Sequence, residues 1–123
     1  MGLDGETMSI LPGVDDALIP IEKFVDYALH PIKGKGKAYA FEKALGYDLS
    51  KAENLIDNIR KNLRKFKATK KGDNAYGTKY EVVMRLIGEN GKSANILTSW
   101  IVEHKSGVTR LTSAYVTRRR IND

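Results

Sequence analysis

The chain has 123 residues, of which 41% are hydrophobic and 29% charged, and its formal net charge is +6. That is the length of one domain, apolar enough for a small core and too apolar for a disordered chain. With no cysteine and only two histidines, disulfides, thiolate metal sites and multi-histidine metal sites are excluded.

The first 16 residues, with Gly2, Gly5, Pro12 and Gly13, read as a linker or tail, and residues 17–123 as the domain. Residues 21–30 follow Pro20 and set Ile21, Phe24, Val25, Ala28 and Leu29 on one helical face. The stretch HPIKGKGKAYAF (30–41) alternates Lys33, Gly34, Lys35, Gly36 and Lys37. It reads as a phosphate-holding loop or as a solvated connector. GxxxxGK[ST] is missing and no strand precedes it, which removes the nucleotide-binding P-loop. A second helix is expected over 37–46, ended by Gly46. The clearest helix is 49–66: Ser50 is placed to cap it, Glu53 completes a capping box, and Leu55, Ile56, Ile59, Leu63 and Phe66 form the buried stripe.

From Lys79 the hydrophobic period changes to two. Strands are expected in KYEVVMRLIG, SANILTSWIVEH and VTRLTSAYVT, with Asn90-Gly91 as a two-residue hairpin turn and Lys105-Ser106-Gly107 as a three-residue loop. Helices followed by antiparallel strands predict an α+β domain. About three N-terminal helices should cover one face of a three- to four-stranded sheet and leave the other face open.

With Asn90-Gly91 at the turn centre, Met84 faces Leu97, Val82 faces Ser99 and Tyr80 faces Ile101. The apolar face is then Tyr80, Val82, Met84, Leu86, Leu97 and Ile101. The opposite face carries Glu81, Val83, Arg85, Ile96, Thr98, Trp100, His104, Arg110, Thr112 and Ala114, with Glu81 opposite Trp100. It is too polar for a core, so it is the face expected to lie open.

The basic residues are clustered: Lys33, Lys35 and Lys37; seven between Arg60 and Lys71 with no acid among them; and Arg118 to Arg120. Clustered basicity is the electrostatic footprint of a nucleic-acid binder, and also of an ordinary solvated basic surface. RNA cleavage by the 2′-hydroxyl needs a proton acceptor, a proton donor and charge stabilisation of the phosphate. On the polar face Glu81 could serve as general base. Arg85, Arg110, Thr98 and Thr112 could grip a phosphate, and Trp100 could stack on a base. His104 or His30 could exchange protons. On composition alone, a plain solvent face with cross-strand Glu/Arg pairs is the simpler reading. His30 likewise fits a helix end, and His104 a turn flank.

The stretches ALIPIEKFVDYAL, HPIKGKGKAYAFEKALGY, AENLIDNI, YGTKYEVVMRLIGENGK, LTSWIVE and TRLTSAYV, in that order over residues 17 to 117, resemble a family of small domains. These sit at the C-terminal tips of polymorphic and contact-dependent toxins and in phage head-associated proteins. The family looks like a branch of the barnase–EndoU–colicin–RelE ribonuclease superfamily. The resemblance implies helices followed by an antiparallel sheet whose open face binds RNA. It implies a metal-independent, cofactor-free endoribonuclease, cutting tRNA in the bacterial cytoplasm after delivery as part of a larger secreted or phage-associated protein. The implied partners are RNA, a neutralising immunity protein and, as activator, a translation factor, with no membrane span. Pattern positions carried over are His30 as acid or base, Lys37 and Arg110 on the phosphate, and Thr98, Trp100 and Thr112; Lys35 belongs to the same basic stretch. The rival reading is a basic module that holds nucleic acid or protein without chemistry.

Overall fold

The computed structural model describes residues 9–121. After Pro20 the chain turns into a short helical segment that finishes as a π-helix, Phe24–Ala28. The Leu29 N–H donates to Phe24 O, five residues back, at 2.8 Å. This wider turn brings Phe24, Ala28 and Leu29 all into the core. The connector that follows passes close behind it. A Cβ on Gly34 would stand 1.6 Å from Tyr27 O, so only glycine fits there.

Helix α1 is Lys35–Leu45; it buries Phe41 and Leu45 and ends at Gly46, whose φ of 75° is the left-handed helix stop expected from the sequence. Helix α2 is Ala52–Asn62, flanked by single tight turns at Leu49–Lys51 and Leu63–Lys65. Its cap is not Ser50. Asp48 Oδ1 accepts from the Ser50 N–H at 3.0 Å and the Ser50 hydroxyl at 2.6 Å, because a tight turn precedes the helix proper and moves the cap upstream. Leu55, Ile59 and Leu63 are buried as the stripe requires, each worth about 1.5–3 kcal/mol.

Strands β1 (Ala68–Asp73), β2 (Gly77–Ile87), β3 (Ser93–Glu103) and β4 (Thr109–Thr117) form one antiparallel sheet in that order. The fold is therefore α+β, with every helical segment ahead of the sheet. Strand β1, ATKKGD, carries no alternating apolar pattern; it is a lysine-bearing edge strand. The β4 edge is partly closed by Leu18, whose N–H donates to Thr109 O and whose carbonyl accepts from Leu111 N–H. The stretch read as linker packs from Ser9 onward: Leu11 is buried, and Pro12 O accepts from the Thr109 hydroxyl at 2.6 Å. Residues 1–8 of that stretch lie outside the described residues.

The β2–β3 register differs by one from the expected one. Met84 pairs with Ile96, Val82 with Thr98 and Tyr80 with Trp100. The turn is the cause. Gly91 N–H donates to Gly88 O, Gly88 N–H donates to Lys92 O, and only Gly91, not Asn90, has positive φ. Three residues, Glu89-Asn90-Gly91, bridge the strands, where either primed two-residue turn would need its first central residue, Asn90, at positive φ. A one-residue slip exchanges the faces of the second strand. Between β3 and β4 the three-residue loop expected at Lys105-Ser106-Gly107 would set Leu97 opposite Tyr115 and Ile101 opposite Leu111; the first pair is present, but a bulge follows. Ser99 pairs with Ser113 and Trp100 with Leu111, leaving Thr112 unpaired and undoing the expected Ile101–Leu111 match.

Candidate nucleic-acid site

Thr98 and Trp100 do not lie on the open face. The corrected register turns them into the core beside Val82, Met84, Ile96 and Leu111, where Trp100 is 1% and Thr98 0% exposed. The Trp100 indole N–H donates to Thr98 Oγ1 at 2.8 Å, and that hydroxyl donates to Val82 O at 2.8 Å. Both polar groups are satisfied internally, as burial demands. Thr98 is closed off from a substrate; Trp100 borders the cleft around Glu81 but, at 1% exposure, offers no ring face for a base to stack on. Ala114 and Ile96 move to the core with them.

The face away from the main core keeps Glu81, Val83, Arg85 and Arg110 and gains the odd-numbered residues of β3; Val83 and Leu97 in its second row are buried, so the face is only partly open. Its rows, read along the sheet, are Arg85–Asn95–Thr117, Val83–Leu97–Tyr115, Glu81–Ser99–Ser113, and Lys79–Ile101–Arg110. Glu81 stands near the middle, facing Ser99 and not Trp100. Arg119 Nη1 donates to Glu81 Oε1 at 3.0 Å, and Lys71 Nζ lies 3.9 Å from the same oxygen. The Arg119 carbonyl accepts from the Asn95 amide at 3.0 Å, so its side chain runs past the level of Leu97 and Val83 to reach Glu81. Lys71, Lys79, Glu81, Ser99, Thr112 and Ser113 line a cleft of about 390 Å³. A carboxylate with two cations and free hydroxyls in one cleft can exchange a proton and hold a phosphate together.

Arg110 sits one row, about 7 Å along the strands, and two strands, about 10 Å across them, from Glu81 on this face. It is paired with Glu103 at 3.3 Å. The Ser106 hydroxyl first, and then Arg110, hold the Glu103 carboxyl below its ordinary value. Arg85 is exposed at the far end of the face. His104 is at the near end, beyond the last row, with Nε2 3.9 Å from Asp73. The Thr78 hydroxyl, ahead of Lys70, keeps that aspartate below its ordinary value. His104 is five strand positions, about 17 Å, from the Glu81 row.

The opening stretch divides. His30 Nδ1 accepts from the N–H groups of Ile32 and Lys33 at 3.1 and 3.0 Å, which ties the ring into its own connector and leaves Nε2 to carry the proton. It is a turn-forming histidine. Lys37 reaches the sheet: its Nζ lies 5.5 Å from the Tyr115 ring centre. Lys35 faces another cleft, of about 630 Å³, with Leu29, Pro31, Tyr39, Glu42 and Asp48. That space is larger but holds a single cation, Lys35, beside Glu42, and its other carboxylate, Asp48, is engaged by Ser50 in the tight turn ahead of α2.

Sequence reasoning missed Lys71, Lys79, Ser99, Ser113 and Arg119. The Arg118–Arg120 run was visible as charge; that it folds back on Glu81 was not. Among the described residues no three His, Asp or Glu gather as a metal ligand set, and no helix is long and apolar enough to cross a membrane. Comparison with curated proteins and with solved structures gives no match. Residues 10–118 match the model of the family described as Domain of unknown function (DUF6883), and the chain belongs to that family.

Proposed function

We propose that the domain is a metal-independent endoribonuclease of the toxin type, cleaving RNA, with tRNA the favoured class, by attack of the 2′-hydroxyl on the neighbouring phosphate. One observation carries the reading: the Glu81 carboxylate, with 21% side-chain exposure, is held between Arg119 and Lys71 in a polar cleft on the sheet face away from the main core. In this scheme Glu81 takes the 2′-hydroxyl proton as the 2′-oxygen bonds to phosphorus. Arg119 neutralises the phosphorane oxygens. The bond to the 5′-oxygen breaks and that oxygen takes a proton from a cleft lysine, Lys71 or Lys79, leaving a 2′,3′-cyclic phosphate and a 5′-hydroxyl. Arg110 and Lys37 act on neighbouring phosphates. Thr98 and Trp100 have no part beyond supporting the sheet. The charge of +6 fits an acidic immunity protein as neutralising partner and a translation factor as activator.

The test is a gel of total RNA incubated in EDTA with wild type, Glu81→Gln and Arg119→Ala, with and without cell extract to supply an activator. Discrete fragments should appear, and Glu81→Gln should slow their formation by about 10²–10⁴-fold, the range of general-base loss. RNA left intact by the wild type under both conditions overturns the reading. The same ion pairs at Glu81 also fit a basic module that binds RNA without cutting it, and intact RNA with retained binding is that module's signature.

A further inference from the structure

We propose a second phosphate-binding subsite for single-stranded RNA, in the cleft between the π-helix and the β4 bulge. It deepens the reading above and rests on an RNA strand lying over the Glu81 cleft. The space measures about 180 Å³ and is lined by Lys23, Tyr27, Lys37, Thr112 and Ser113, over a floor of Ala28 and Ala114.

Its two cations carry uncompensated charge. Lys23 Nζ lies 5.9 Å from the Tyr27 ring centre and Lys37 Nζ 5.5 Å from that of Tyr115. Among the described residues neither ammonium is paired with a carboxylate. Aromatic rings position both lysines without neutralising them. The first turn of α1 contains Lys35 and Lys37, no acid and no side-chain cap, so its backbone adds to the positive potential.

The bulge supplies the other half. Thr112 is the extra residue between the Ser99–Ser113 and Trp100–Leu111 pairs, so its side chain escapes the alternation of the strand and is exposed. Thr112 and Ser113 line both this cleft and the one around Glu81. The two spaces therefore meet across two hydroxyls. A polyanion crossing there meets Arg119 and Lys71 on one side and Lys23 and Lys37 on the other. Tyr27, 56% exposed, offers a ring on which an unpaired base can stack. A duplex presents no free base and is too wide for the cleft, which selects a single strand.

The measurement is fluorescence anisotropy of a labelled single-stranded 2′-O-methyl RNA oligonucleotide, which cannot be cleaved, titrated at several NaCl concentrations. The proteins are wild type, Lys23→Gln/Lys37→Gln, Glu81→Gln and, as a lysine of the β2–β3 turn, Lys92→Gln. Each phosphate contact on a single strand contributes about 0.7 to the slope of log K against log salt, so the double variant should lose about 1.4. Lys92→Gln should keep the wild-type slope. If circular dichroism shows the double variant unfolded, each single variant is read for a loss of about 0.7. No binding by the wild type, a double-variant slope equal to that of Lys92→Gln, or a preference for duplex overturns the subsite. Failure of the nuclease reading looks different: the slope change is present while RNA with free 2′-hydroxyls stays intact.

Discussion

On the core face of the sheet Thr98 and Trp100 satisfy each other and the Val82 carbonyl, and almost none of their surface is wet. On the opposite face Glu81, Lys71 and Arg119 also pair, yet all three keep contact with solvent. Both clusters are polar and both are fully partnered. They differ in what exchanging a partner costs. A buried donor left unmatched forfeits its whole desolvation energy, whereas a solvent-exposed ion pair is worth about 0–1 kcal/mol and can be traded for a phosphate. Polarity alone does not mark a site; polarity that can change partners does.

The largest way to break this contrast is Trp100→Ala. It empties the biggest side chain of the core and should cost about 3–5 kcal/mol in urea unfolding. Glu81→Gln should stay within about 0.5 kcal/mol of wild type. If the two costs came out reversed, the faces would be misassigned. Thr98→Val is next. It keeps the volume but leaves the indole N–H without an acceptor, for about 1–3 kcal/mol, and Trp100 fluorescence should remain that of a buried indole. Gly91→Ala sharpens the register: placing a Cβ at φ 80° should cost about 1–2 kcal/mol, because the three-residue turn hangs on that residue alone.

That turn also explains how the sequence could be read correctly for the α+β class and wrongly for the face on which Thr98 and Trp100 lie. The α1 stop at Gly46 and the Leu55–Ile59–Leu63 stripe follow from local spacing, so they were legible. So was the apolar face of β2, since Val82, Met84 and Leu86 alternate within one strand. Which residues of β3 join them depends on whether Asn90-Gly91 closes a two- or a three-residue turn, and both are compatible with Asn-Gly. The pattern of β3 did not arbitrate: Ile96 and Leu97 are adjacent and both buried, one on each face. The bulge at Thr112 and the return of Arg119 to Glu81 are tertiary events with no local mark. Strand β1 was invisible because its lysines are an edge strand's surface and not a core pattern.

The smallest effect concerns the Glu103–Arg110 end of the open face and tests whether its charges act as exposed ones. The Glu103 carboxyl is held below its ordinary value of 4.5, by the Ser106 hydroxyl first and Arg110 second. A depressed value in the folded state means that the ionised form stabilises the fold. This contribution is full above about pH 4.5 and is lost as the pH falls through the lowered value. Thermal unfolding of wild type should therefore weaken more between pH 6 and 3 than that of Glu103→Gln, by a small difference in Tm. At 1 M NaCl the Debye length falls to about 3 Å and the Arg110 share is screened, while the short hydroxyl bond from Ser106 is not. The difference should shrink without vanishing. Its complete loss in salt would make Arg110 the main partner of Glu103 and so less available to a phosphate.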